Sequence, residues 1–72
     1  MEKSTSEFRI HLNGESVATK TSTLDALLVE KGYADAKVAT AVNGTFVPAR
    51  NRAAKALSDG DHIEVVSARQ GG

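Results

Sequence analysis

The chain has no cysteine, no tryptophan, a single proline at Pro48, and only three aromatic residues, Phe8, Tyr33 and Phe46. Without thiols there are no disulfide staples, zinc ribbons, thiol nucleophiles or redox motifs, and a cytoplasmic home is the simpler expectation. Apolar runs are only a few residues long, so no segment is expected to span a membrane, and the polar start Met1 to Glu7 lacks the apolar stretch of a signal peptide. Charge of one sign is also missing: nine Lys and Arg balance nine Asp and Glu. A domain that neutralises many phosphates carries a basic excess, so no nucleic-acid partner is expected. At 72 residues there is room for one domain, which buries only about 60% of the surface its unfolded chain exposes and cannot enclose a deep cavity.

What is present is well patterned. Phe8, Ile10 and Leu12 alternate with Arg9 and His11, the period of a half-buried strand. Asn13-Gly14 follows at once and suits the two positive φ angles of a type I′ turn, so Glu15 to Thr19, with Val17 facing inward, should return antiparallel. The period then changes, because Leu24, Leu27 and Leu28 recur at helical spacing. A helix is predicted over roughly Thr23 to Lys31, with Ser22 as N-cap, Asp25 three residues on, and Gly32 at the left-handed C′ position. Val38 to Val42 is strand-like, a second Asn-Gly pair sits at Asn43-Gly44, and the short run Phe46-Val47 is closed by Pro48. Ala49 to Leu57 suits at most a short helical turn. After the turn Asp59-Gly60-Asp61, Ile63 and Val65 alternate with His62 and Glu64 in a last strand ending near Ala68.

Hairpin, helix, strand, loop and strand have few compact arrangements, because the helix must bury its leucines against one face of a sheet. The expectation is an α+β fold of the β-grasp kind, a four-stranded mixed sheet packed on one main helix. Residues 1–7 form an N-terminal arm, 8–68 the domain, and 69–72 an extended tail, because Arg69-Gln70-Gly71-Gly72 offers no apolar anchor and two glycines.

Most chemical candidates reduce to structure. The Asn-Gly pairs are turn chemistry. His11 and His62, both outward on strands, lack the clustered carboxylates or thiols of a metal site, so none is expected. Asp59, Asp61 and Glu64 lie where nothing desolvates them, which suits solvated turn acids better than an acid/base pair. Arg50, Arg52 and Lys55 make a small basic run, read first as the polar face of a loop and second as a patch for an acidic partner. No set assembles nucleophile, base and oxyanion donors, and no glycine loop precedes a helix to cradle phosphate, so the chain is not expected to be an enzyme.

The terminus is different. A carboxylate on a glycine offers its carbonyl with no Cβ to obstruct attack. Four extended residues reach roughly 13–14 Å, enough to thread into another protein's active site. Ordering them costs roughly 4–8 kcal/mol, so the tail alone binds poorly and the body must supply a docking face. The outward side of the sheet is the expected place, where Val66 and Ala68 lie near Arg9, His11 and Glu64, with Arg69 and Arg50 as further contacts.

From Phe8 to Gly72 the sequence resembles the ubiquitin-like sulfur carriers, most closely the ThiS branch of thiamine biosynthesis. The resemblance rests on Thr23-Leu24 with Leu27-Leu28, on Ala41-Val42-Asn43-Gly44-Thr45-Phe46-Val47-Pro48, on Asp59-Gly60-Asp61 and on Gly71-Gly72. Members of that family often carry an arginine directly after the proline and an aromatic soon afterwards, whereas here Ala49 precedes Arg50 and no tryptophan follows. The resemblance implies that the protein binds no cofactor itself. A ThiF-like adenylating enzyme spends ATP and Mg²⁺ on the Gly72 carboxylate, a donor such as a cysteine desulfurase system supplies sulfur, and the resulting C-terminal thiocarboxylate is delivered to a ThiG-like thiazole synthase. A small subunit of molybdopterin synthase, or another carrier of this kind, is the nearest alternative. That subunit usually has a longer insertion after the helix, whereas ten residues separate Gly32 from Asn43 here. From a different class, the chain would be a non-catalytic β-grasp interaction module with incidental terminal glycines.

Overall fold

Period-two alternation and two Asn-Gly turns build most of the sheet. A computed structural model of the chain describes residues 7–33 and 37–67. The expected arm, apart from Glu7, and Ala68 with the expected tail lie outside the described residues. Strand β1 spans Phe8–Leu12 and pairs antiparallel with β2, Glu15–Thr19, through Asn13 and Gly14, both at positive φ as the type I′ turn requires. Strand β3, Val38–Val42, and strand β4, Thr45–Val47, repeat this device around Asn43 and Gly44. Strand β5, His62–Ser67, lies in the middle, parallel to β1 and antiparallel to β3, in the order β2-β1-β5-β3-β4.

The sheet therefore has five strands, not the four expected. Thr45–Val47 is only three residues long, but the tight turn aligns it with Val42 to Thr40, and Thr40 Oγ1 donates to the Val47 carbonyl at 2.8 Å. That side-chain bond secures a strand too short to hold by its ladder alone.

Helix α1 runs Leu24–Glu30, one residue shorter at each end than the predicted span. Its N-cap is Thr23, whose Oγ1 accepts from the Ala26 amide at 3.2 Å, and not Ser22. The Ser22 carbonyl is occupied by the Leu57 amide at 3.0 Å, which holds that residue just outside the helix. The C-terminus follows expectation: Gly32 has φ 89°, its N–H donates to Val29, and the Tyr33 N–H donates to Leu28, a Schellman closure. Seven residues cannot sustain an isolated helix. The three buried leucines Leu24, Leu27 and Leu28 stabilise it by about 1.5–3 kcal/mol each. They pack with Ile10, Val42, Val47, Leu57, Ile63 and Val65 in one core on the helix side of the sheet.

Ala49–Ala54 forms a 3₁₀ helix entered from Pro48. Arg52 ties it to the sheet, donating from Nε to Thr40 Oγ1 at 3.1 Å and from Nη2 to the Val38 carbonyl at 2.8 Å. Thr40 is 2% exposed, and this guanidinium completes its hydrogen bonding.

Both turn asparagines do more than supply a left-handed residue. Asn13 Nδ2 donates to the Val65 carbonyl at 3.2 Å, and its Oδ1 accepts from the Val65 amide at 2.8 Å. Asn43 Oδ1 accepts from the His62 amide at 2.9 Å, while its Nδ2 donates to Asp61 Oδ1 at 3.0 Å. Strand β5 is thus clamped by a side-chain amide from the turn on each flank.

Two stability predictions follow from this packing. Asn13→Gly keeps the positive φ accessible and removes only the amide, so a loss of about 1–2 kcal/mol is expected in urea unfolding; no loss would show that the clamp contributes nothing. Leu27→Ala should cost about 2–5 kcal/mol in the same assay through the cavity it leaves.

Candidate functional site

Alternation divides the sheet into a core face and an outer face, and the outer face gathers most of the candidate docking residues. Arg9 and His11 come from β1, and His62, Glu64 and Val66 from β5, with the inward residues Ile10, Ile63 and Val65 between them. Arg9 Nη1 donates to Ser16 Oγ at 3.3 Å, which lays the guanidinium toward β2. Glu64 is exposed, and Val66 is 62% exposed. Arg50 comes from a different element and stands exposed on the 3₁₀ helix. Ala68, Arg69, Gly71 and Gly72 lie outside the described residues.

His11 and His62 are register partners across the parallel pair, and their rings stack with centroids 4.4 Å apart and planes 13° from parallel. A ligating nitrogen points its lone pair in the plane of its ring, and nearly parallel planes give two such lone pairs no common point. The stack is therefore not a chelate as it stands. Among the described residues no group of three or more His, Cys, Asp or Glu is placed to hold a metal ion.

The turn acids are committed to structure. Asp59 Oδ1 accepts from the Arg9 amide at 3.1 Å, and Asp61 Oδ2 accepts from the Ser58 amide at 2.8 Å. Backbone bonds from Gly60 to the Arg9 carbonyl and from His11 to the Asp61 carbonyl, at 2.7 and 2.8 Å, lock the turn onto β1. The basic run also divides, because Arg52 is spent on Val38 and Thr40 while Arg50 and Lys55 remain exposed.

Sequence reasoning placed Val66 on the outer face but missed the rest of its apolar half, Phe46, Ala41 and Ala39. Phe46 is 64% exposed and sits opposite Ala41, which is itself opposite Glu64; Ala39, two residues along β3, is opposite Val66. Phe46, Ala41, Ala39 and Val66 therefore form one apolar strip across β4, β3 and β5. The signal lay in the Asn43-Gly44 turn: a two-residue turn with Val47 inward forces Phe46 outward.

A five-stranded mixed sheet holding one main helix, with the last strand inserted centrally, defines a ubiquitin-like β-grasp protein. The model of the ThiS family matches residues 6–72, so the chain belongs to the ThiS family. With that membership comes a sulfur-carrier role in thiamine biosynthesis and a general association with adenylating and sulfur-transfer partners. Among solved structures, the chain is similar to the thiamine biosynthesis protein (ThiS) from Geobacter metallireducens. The two are 25% identical, with 90% of this chain and 100% of that chain covered and a TM-score of 0.74. Comparison with curated protein sequences finds no match. No helix among the described residues is long and apolar enough to cross a membrane.

Because Phe46 and Val66 touch solvent more than core, polar replacements that keep strand propensity should leave the fold intact. Phe46→Thr and Val66→Thr are each expected to change stability by no more than about 0.5 kcal/mol, read from the urea midpoint. A larger loss would mean that the strip supports the sheet and is not a free surface.

Proposed function

We propose that the protein carries sulfur as a thiocarboxylate on Gly72 and delivers it for thiazole formation. The observation that supports this reading best is the family match running through Gly71 and Gly72. In the proposed cycle a carboxylate oxygen of Gly72 attacks the α-phosphorus of Mg²⁺-bound ATP in an adenylating partner, and pyrophosphate leaves. Hydrosulfide, or its equivalent from a desulfurase system, then attacks the acyl carbon and displaces AMP. The thiocarboxylate that remains is the form presented to a thiazole synthase. All catalytic groups belong to the partners; this chain provides the acyl group and the means of docking.

The outer face suits that task. Its apolar strip of Phe46, Ala41, Ala39 and Val66 can be buried by a partner, while Arg9, His11 and Glu64 set orientation at the border. Docking of the body adds affinity to what the terminal residues alone supply. Ala68 and Arg69 continue β5 in sequence and extend the proposed contact toward the site of chemistry, with Arg50 as a further contact from the 3₁₀ helix.

Incubation with ATP, Mg²⁺, a sulfide source and the cognate adenylating enzyme should raise the intact mass by roughly 16 Da, the exchange of one oxygen for sulfur. Fragmentation should place the change on Gly72. Gly72→Ala should leave the unfolding midpoint unchanged and slow sulfur transfer. An unchanged mass beside an enzyme that forms adenylate with another carrier would overturn the reading.

A further inference from the structure

A groove of about 320 Å³ lies between edge strand β4 and the 3₁₀ helix, away from the centre of the outer face. Its walls are β4 itself with Pro48, Asn51, Ala54 and Lys55. Three features define what it can hold.

The first is an open backbone pair. In a two-residue hairpin the residues flanking the turn, here Val42 and Thr45, exchange both ladder bonds, so the next pair, Ala41 and Phe46, exchanges none. The N–H and C=O of Phe46 therefore point away from β3, along an edge that pairs with no other strand among the described residues. The second feature is an apolar lining formed by Phe46, Val47, Pro48 and Ala54. The third is charge. Lys55 lies at the rim with its backbone fixed on both sides: its N–H donates to the Arg52 carbonyl at 3.2 Å, and its C=O accepts from the Leu24 amide at 2.9 Å. Among the described residues no acidic side chain lines the groove.

An inorganic anion would use Lys55 and leave the strand edge and the apolar lining idle. An extended peptide uses all three, pairing with Phe46 as an added strand, laying an aliphatic side chain over Val47 and Ala54, and setting a carboxylate against Lys55. We infer that this groove is a docking site for an extended segment of a partner protein that carries an aliphatic residue and an acidic side chain on the same face. The inference is independent of the carrier chemistry proposed for Gly72, since it requires no modification of the chain.

The test uses the full chain and the acetylated, amidated peptide Thr-Val-Thr-Glu-Thr, followed by backbone amide NMR. Saturable shifts at Thr45 to Val47 and at Lys55, with slowed hydrogen exchange at the Phe46 amide, are expected. Lys55→Gln and a glutamine-for-glutamate peptide should each weaken binding by about two- to fivefold, and Lys55→Glu by up to about tenfold. Methylating the pairing amides of the peptide should abolish binding while the protein is untouched, so a misfolded variant cannot imitate the result. No shifts at millimolar peptide, shifts confined to the Val66 face, or an affinity indifferent to both the Lys55 charge and amide methylation would overturn the inference.

Discussion

The grip on strand β5 is the constraint from which the rest of the molecule follows. It lies between a parallel and an antiparallel neighbour, and the amides of Asn13 and Asn43 hold it at Val65 and His62. Each asparagine also turns its own hairpin, so the residues that fold β1 onto β2 and β3 onto β4 are the ones that fasten both hairpins to the middle strand. The Asp59-Gly60-Asp61 turn completes the arrangement by bonding to Arg9, His11 and Asn43. Ile63 and Val65, directed inward by this registration, meet the leucines of α1. The same registration turns Val66 and Glu64 outward.

A body of this size has little interior to spare, and its buried polar groups serve the fold. Thr40 and Arg52 fasten the short strand and the 3₁₀ helix, and Thr19 bonds to Thr21 and Glu30 across the end of α1. What is left for function among the described residues is the surface: an apolar strip on the outer face and a groove at the β4 edge. That distribution suits the carrier role proposed above for this member of the ThiS family, in which recognition by partners takes place on the surface.

Much of this was legible in the sequence wherever the determinant was local. The alternation of β1, β2 and β5, both Asn-Gly turns, and the Gly32 cap each rest on residues within a few positions of one another, and each is found as expected. The miscounted strand and the displaced N-cap have a common cause in partners that lie on other elements. Thr45–Val47 persists through a threonine on another strand, and Ser22 is drawn out of the helix by the Leu57 amide. The amide clamp is the extreme case, since Asn13 and Val65 are 52 residues apart and no local pattern relates them. For the site, Arg9, His11, Glu64 and Val66 could be assigned to the outer face by parity alone, whereas Phe46 required the register of a strand that was not counted. Arg52 looked like a surface charge because the carbonyl it satisfies becomes visible only after β3 is placed.

The central claim, that the Gly72 carboxylate is the group on which partners act, is tested most directly by ATP–pyrophosphate exchange in the adenylating enzyme. The native chain should support exchange, and the same chain with Gly72 converted to its amide should support none, because the attacking oxyanion has been removed while the docking surface is intact. Exchange at the native rate with the amidated chain would contradict the account.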